Sequence, residues 1–187
     1  MKYNPDIHHR RSVRLKGYDY AKEGMYFVTI CTQNRIHFFG DVENREMILN
    51  PFGEIAYREW EKLPERWPHI ELGAFQIMPN HIHGVLLILR PYSMENGESV
   101  ETQPEIPFSK IQWATRPYLG QIIGAYKSIV STSCLNYHKE NQPGVWLDKI
   151  WQRSFDDRII RDTAAFNNIS TYIINNPANC KSDKFFD

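Results

Sequence analysis

The chain has 187 residues, 42% of them hydrophobic, which suits one ordinary domain with a sizeable core, and we expect a single domain over 1–187. Lysine plus arginine and aspartate plus glutamate number 22 each, so the formal net charge is zero and a uniformly basic protein is excluded, though not a basic face. No apolar run approaches membrane-span length, the polar start lacks the apolar core of a signal peptide, and three widely spaced cysteines exclude a disulfide framework; together these point to a cytoplasmic setting with reduced thiols.

The charges are unevenly distributed. Residues 1–22 carry Lys2, Arg10, Arg11, Arg14, Lys16 and Lys22 against Asp6 and Asp19, and residues 110–139 carry Lys110, Arg116, Lys127 and Lys139 without an acid. The stretch 92–107, with Glu95, Glu98, Glu101 and Glu105 and no base, cancels much of this. A neutral protein with a basic face is compatible with this pattern, and so is an ordinary solvated surface.

In chain order, Met25 to Thr32 is rich in aromatic and β-branched residues and predicts a first strand after Gly24. A loop or short hairpin should follow through Gly40 and Asn50. Pro51 then opens a helix at about 51–62, with Ile55, Tyr57, Trp60 and Leu63 as apolar anchors, until Pro64 interrupts it. Residues 70–78 and 82–89 predict two central strands, with Pro79-Asn80 as the turn between them.

Residues 91–116 hold Pro91, Pro104 and Pro107 among glutamates and predict a mobile surface loop, since little apolar surface offsets the entropy of ordering it. From Pro117 the pattern becomes helical. Leu119, Ile122, Ile123, Tyr126, Ile129, Val130, Cys134 and Tyr137 predict a helix over about 118–138 whose other face turns Gln121, Lys127 and Ser128 toward solvent or a polyanion. A last extended segment is expected near 150–156, and Asp162-Thr163 should cap a final helix at about 163–175 that Pro177 stops. The order strand, helix, strand, strand, helix, strand, helix predicts an α+β domain: an antiparallel sheet with helices on one side and an open face on the other.

The residues with most chemical content are His81 and His83, at the mouth of the strand Val85–Leu89. Side chains at i and i+2 of an extended segment share a face, so the two imidazoles can converge on one divalent ion. Spacing alone is weak evidence, because a His-x-His pair is more often packed or surface-exposed than metal-bound. On the last helix, Tyr172 and Asn176 are four residues apart and share a face, beside the apolar stripe Phe166, Ile169 and Ile173. Tyr172 at the edge of that stripe is well placed for a nucleophile, and also for an ordinary packing anchor. A phenol with a reference pKa of about 10 attacks at neutral pH only with a cation or base nearby. A metal on the two histidines would supply positive charge, and Asn176 an oxygen ligand, a mixed set compatible with Mg2+ or Mn2+ and equally with softer ions.

The run Phe75-Gln76-Ile77-Met78-Pro79-Asn80-His81-Ile82-His83-Gly84, with Trp151-Gln152-Arg153-Ser154-Phe155 and Tyr172-Ile173-Ile174-Asn175-Asn176-Pro177, resembles the REP-associated tyrosine transposases, single-strand DNA transposases of the HUH nuclease superfamily. The segments 11–20 and 26–35 extend the resemblance over nearly the whole chain. It implies a ferredoxin-like HUH nuclease domain in which His81 and His83 are the metal pair, Tyr172 the catalytic tyrosine and Asn176 a third ligand, with Mg2+ or Mn2+ as cofactor. It further implies cleavage of single-stranded DNA at hairpin-forming repeats through a 5′-phosphotyrosine with release of a 3′-hydroxyl, by a monomer or by a homodimer whose tyrosine helix serves the partner's site.

With a DNA partner, Arg10, Arg11, Arg14, Lys16, Arg116, Lys127, Arg153 and Arg161 become candidates for phosphate contacts, and Trp113, Tyr118 and Trp151 for stacking on unpaired bases. The chain departs from the family at Asp156 and Arg158, where an aromatic residue and often a histidine stand. Two rival readings are a hairpin-binding protein without catalysis and a metal-dependent nuclease that uses activated water.

Overall fold

The computed structural model describes residues 20, 22–89, 118–141 and 149–186. The expected loop 91–116, the basic N-terminal segment with Arg10, Arg11, Arg14 and Lys16, and Arg116 and Trp113 lie outside the described residues. Strand β1 (Gly24–Cys31) leads through a short 3-10 turn at Gln33–Arg35 into the hairpin β2 (Gly40–Glu43) and β3 (Glu46–Leu49). Asn44 and Arg45 at the hairpin tip both have φ near +50 to +70°, the left-handed pair that a two-residue turn requires.

Asn50 caps the next helix. Its Oδ1 accepts from the backbone N–H groups of Phe52 and Gly53, both at 3.0 Å, which starts α1 (Pro51–Glu61) with proline at the position where a missing N–H costs nothing. The helix breaks at Lys62, just ahead of Pro64 as expected, and a short α2 (Leu63–Arg66) follows with Pro64 in its first turn. Strands β4 (Ile70–Met78) and β5 (His81–Ile88) are joined at Pro79-Asn80, as the sequence predicts. Helix α3 spans Leu119–Asn141 and α4 spans Thr163–Ile174, where Asp162 caps through a 2.7 Å bond from the Ala165 N–H.

The last strand differs from expectation. Pairing with β1 starts only at Asp156, so β6 is Asp156–Ile160, and Trp151 makes a single bridge to Thr32. The intervening carbonyls of Gln152, Arg153 and Ser154 are taken by the Lys127 ammonium, so this segment is tied to α3 before it can join the sheet.

The central sheet has the order β4-β5-β1-β6, with all neighbours antiparallel. With α1 and α3 as the crossovers this is an open α+β sheet of ferredoxin-like architecture. One face carries the main core: Tyr26, Val28 and Ile30 of β1 and Ile82 and Leu86 of β5 meet Ile55, Ala56 and Trp60 of α1 and Ile122, Ile123 and Tyr126 of α3. Full burial of such side chains contributes about 1.5–3 kcal/mol each. Tyr126 satisfies its hydroxyl on the Ala56 carbonyl at 2.9 Å, tying α3 to α1.

The second face is not open along its length. Ile173 of α4, with Phe166 and Ile169, packs on Val85 of β5 and Ile160 of β6, together with Met25 and Phe27 of β1. The stripe read on the last helix thus covers the face left vacant by α1 and α3, and it places the C-terminal end of α4 over the start of β5.

Candidate metal centre

Strand alternation sets the imidazoles. In the β1–β5 register Thr29 faces His83 and Cys31 faces His81, so all four side chains point to the α4 side of the sheet. Both rings are fully buried and held through Nδ1: His81 by Asn80 Oδ1 at 2.7 Å and His83 by Thr29 Oγ1 at 2.9 Å. Their Nε2 atoms therefore converge, 3.2 Å apart. Burial, with His83 beside it, pushes the His81 imidazole down to about 3, so this ring is neutral at physiological pH, the form that ligates metals.

A carboxylate completes the cluster. After α4 a 3-10 turn (Pro177–Ser182) swings the chain back and delivers Asp183, whose Oδ2 lies 3.1 Å from His83 Nε2 and 3.8 Å from His81 Nε2. Ligand atoms about 2.1 Å from a shared ion sit about 3.0–3.4 Å apart at tetrahedral to octahedral angles; the His81–His83 and His83–Asp183 separations fall in that range, while the His81–Asp183 separation of 3.8 Å is wider. The donor set is chemically apt: two imidazoles and one carboxylate suit a transition-metal or manganese ion better than an all-oxygen site would.

Tyr172 and Asn176 reach the same point from α4. The Tyr172 hydroxyl donates to Asp183 Oδ2 at 2.5 Å and lies 3.2 Å from His83 Nε2, while its ring stands edge-on to Phe27, centroids 6.2 Å apart. The side chain is nevertheless 41% exposed, so a group arriving from solvent can reach it. Asn176 donates its amide Nδ2 to Asp183, and its Oδ1 is buried with no hydrogen-bond partner among the described residues. An orphaned buried carbonyl beside two imidazoles and a carboxylate is a feature that a bound cation would account for.

The electrostatics are those of a closed cluster. Burial alone would raise the Asp183 carboxyl, but its contacts with His83, Tyr172, Asn176 and the Phe185 N–H hold it well below the usual carboxylate range. Burial and the neighbouring Asp183 charge hold the Tyr172 phenol well above its ordinary value. At neutral pH the nucleophile candidate is protonated and the carboxylate is ionised.

Asp183 was not among the residues singled out from sequence. It stands alone between Lys181 and Lys184, next to Phe185 and Phe186, with no periodicity to mark it. Asn176, read there as a third ligand, is in the cluster, but its amide nitrogen faces Asp183.

Among the basic candidates, Arg153 and Arg161 are exposed on either side of β6. Lys127 is half-buried and donates to the carbonyls of Gln152 at 2.6 Å, Ser154 at 3.3 Å and Arg153 at 3.4 Å, so it fastens the chain instead of facing outward. Burial pushes its ammonium down to about 8. Trp151 is buried in the main core and bonds the Lys127 carbonyl through its indole N–H, so it is not a stacking platform, while Tyr118 is exposed. Asp156 pairs with Thr29 and Arg158 with Phe27, which puts both departures from the family pattern on the sheet face of the cluster.

Among the described residues no helix is long and apolar enough to cross a membrane. No protein-family model matches the chain. The structure is similar to that of a REP-associated tyrosine transposase bound to a REP hairpin, with a TM-score of 0.54 and 18% identity over 91% of this chain and 76% of that one. An uncharacterized protein of Haemophilus influenzae is 34% identical over 186 residues, 99% of this chain and 97% of that protein. The likeness shows a shared fold, within which His81, His83 and Asp183 form a cluster that could hold a metal ion beside Tyr172. The chain has the fold of the REP-associated tyrosine transposase, and it belongs to the same family as the Haemophilus influenzae protein.

Proposed function

We propose that the chain is one catalytic domain, a metal-dependent endonuclease and strand transferase for single-stranded DNA at hairpin-forming repeats. The observation that carries this reading is the approach of the Tyr172 hydroxyl to within 3.2 Å of His83 Nε2 and 2.5 Å of Asp183 Oδ2 in a single protomer. Helix α4 needs no partner subunit to bring the phenol there, which supports action in cis.

His81, His83 and Asp183 would hold the cation, with the orphaned Asn176 carbonyl as a fourth donor; Mn2+ and Mg2+ are the proposed ions. When bound, the ion supplies positive charge at the scissile phosphate and offsets the Asp183 charge that keeps the phenol protonated. Tyr172 Oη then attacks phosphorus and its proton passes to solvent on the exposed side of the phenol, because Asp183, engaged as a ligand and held well below the usual carboxylate range, is a poor proton acceptor. The new bond is a 5′-phosphotyrosine, and the bond broken releases a 3′-hydroxyl. Because the phosphodiester energy is kept in the tyrosyl ester, a DNA 3′-hydroxyl reverses the step without ATP. Arg153, Arg158 and Arg161 on and beside β6 contact backbone phosphates, together with Arg10, Arg11, Arg14, Lys16 and Arg116.

The test is incubation of a labelled single-stranded hairpin with Mn2+ and either the natural chain or Tyr172→Phe, followed by a denaturing gel. The natural chain should give a protein-linked 5′ product and Tyr172→Phe neither cleavage nor adduct, with binding retained. Cleavage that persists in Tyr172→Phe would assign the reaction to activated water.

A further inference from the structure

Asn80 lies between the C-terminal segment and the metal centre, and its two amide atoms do different things. Its Nδ2 donates to the carbonyl of Phe186 at 2.8 Å, and its Oδ1 bonds His81 Nδ1 at 2.7 Å. A backbone carbonyl can only accept, so the Phe186 contact dictates which end of the amide is nitrogen. The oxygen must then face His81, whose Nδ1 has to carry the proton. A neutral imidazole protonated at Nδ1 has its lone pair on Nε2, the atom aimed at His83 and Asp183. The partner of His83, the Thr29 hydroxyl, can donate or accept and selects no tautomer.

The same segment carries Asp183 itself. It is seated by independent contacts: Arg35 donates to the Lys184 carbonyl at 2.9 Å, Phe185 lies against both imidazoles with centroids 5.8 and 5.7 Å away, and Phe186 packs on His37 at 5.4 Å. Arg35 reaches that carbonyl from a left-handed backbone (φ 53°), a conformation that persists only where surrounding contacts hold it. Phe185 donates its N–H to Asp183 Oδ1 at 2.7 Å, which leaves Oδ2 for the cluster.

We infer that residues 183–186 act as a docked arm that completes the metal centre twice, by delivering the Asp183 ligand and, through the Phe186 carbonyl and Asn80, by setting the tautomer of His81. Asn80 and Arg35 are its positioning residues. This inference rests on the reading of His81, His83 and Asp183 as a metal site.

The experiment measures Mn2+ affinity by electron paramagnetic resonance, and amide hydrogen exchange at Phe185 and Phe186, in the full chain and its variants. Asn80→Ala should lower Mn2+ affinity about 10- to 100-fold, the usual effect of losing a ligand's supporting partner, and truncation after Ser182, which removes Asp183 itself, should lower it at least as much. Asn80→Asp can still accept from His81 but cannot donate to Phe186; it should speed exchange at 185–186 while losing less affinity than Asn80→Ala. Arg35→Ala, on the outer side of the arm, should speed the same exchange and lower affinity a few-fold, and it decides the matter if Asn80→Ala does not fold. A natural chain that fails to bind Mn2+ would overturn the metal reading. Normal binding by the natural chain with unchanged affinity in the truncation or in Arg35→Ala would overturn the arm alone.

Discussion

The hydroxyl of Tyr172 and Nε2 of His83 are 3.2 Å apart across 89 residues of sequence, with Asp183 Oδ2 touching both. The contact depends on α4 lying over β5 and on the turn after α4 folding back, so phenol, imidazoles and carboxylate share one protomer.

The proposed action in cis is tested by complementation. Mixing Tyr172→Phe with a His81→Ala/His83→Ala double variant should restore no cleavage of hairpin DNA, because no active site would combine an intact tyrosine with an intact imidazole pair. Recovery of activity in the mixture would show instead that α4 serves a neighbouring protomer.

Gly84 is a steric requirement of the main core. A Cβ there would lie 2.3 Å from Trp60 Cζ2, and Trp60 cannot yield, since it is stacked on Phe75 (4.6 Å, 5° between planes) and edge-on to Tyr126 at 5.3 Å. Gly84→Ala should destabilise the fold by about 1–3 kcal/mol through overpacking, measured by urea denaturation. It adds bulk on the face opposite the imidazoles, so the refolded variant should keep its Mn2+ affinity.

Glu59 gives a pH signature. Burial opposes its charge, but hydrogen bonds from Arg66 and from Lys62 at 3.2 Å outweigh this and lower its pKa from 4.5. A depressed folded pKa contributes stability that is complete above the unfolded value and fades as pH falls through the folded one. Glu59→Gln should therefore cost about 1 kcal/mol at pH 7, and the difference from the natural chain should shrink progressively below pH 4.5 in denaturation series at stepped pH.

The cysteines should react unequally. Burial pushes the thiols of Cys31 and Cys134 up to about 11 and 12, whereas Cys180 is partly exposed on the turn after α4. At pH 7.5 an aromatic disulfide reagent should titrate Cys180 first, and Cys31 and Cys134 only in denaturant. Rapid labelling of Cys31 in the native chain would mean that the end of β1, beside His81, opens readily.

The elements that position the site were legible in the sequence because each rests on local rules. Asn50-Pro51 and Asp162-Thr163 mark helix starts, the spacing of Ile122, Ile123, Tyr126 and Val130 marks a helix face, and the alternation that puts His81 and His83 on one side needs only a strand. The stripe Phe166, Ile169 and Ile173 likewise announced a docking face with Tyr172 at its rim. What it docks on was not legible, since an apolar stripe does not say which face of which sheet it will cover.

Tertiary structure decided the rest. Lys127 looks like a solvent-facing cation on a helix, yet three carbonyls from residues 152–154 capture it, and this delays β6 to Asp156. Asp183 has no local pattern at all: it reaches the imidazoles only because a 3-10 turn returns the chain to them, where Arg35 bonds the Lys184 carbonyl and Asn80 the Phe186 carbonyl. Sequence by itself determined which residues share a face, because side-chain direction is a property of the helix or strand that carries them. Which faces meet depends on contacts between residues far apart in the chain, and only the folded sheet with α4 across it brings Tyr172, His83 and Asp183 to one point.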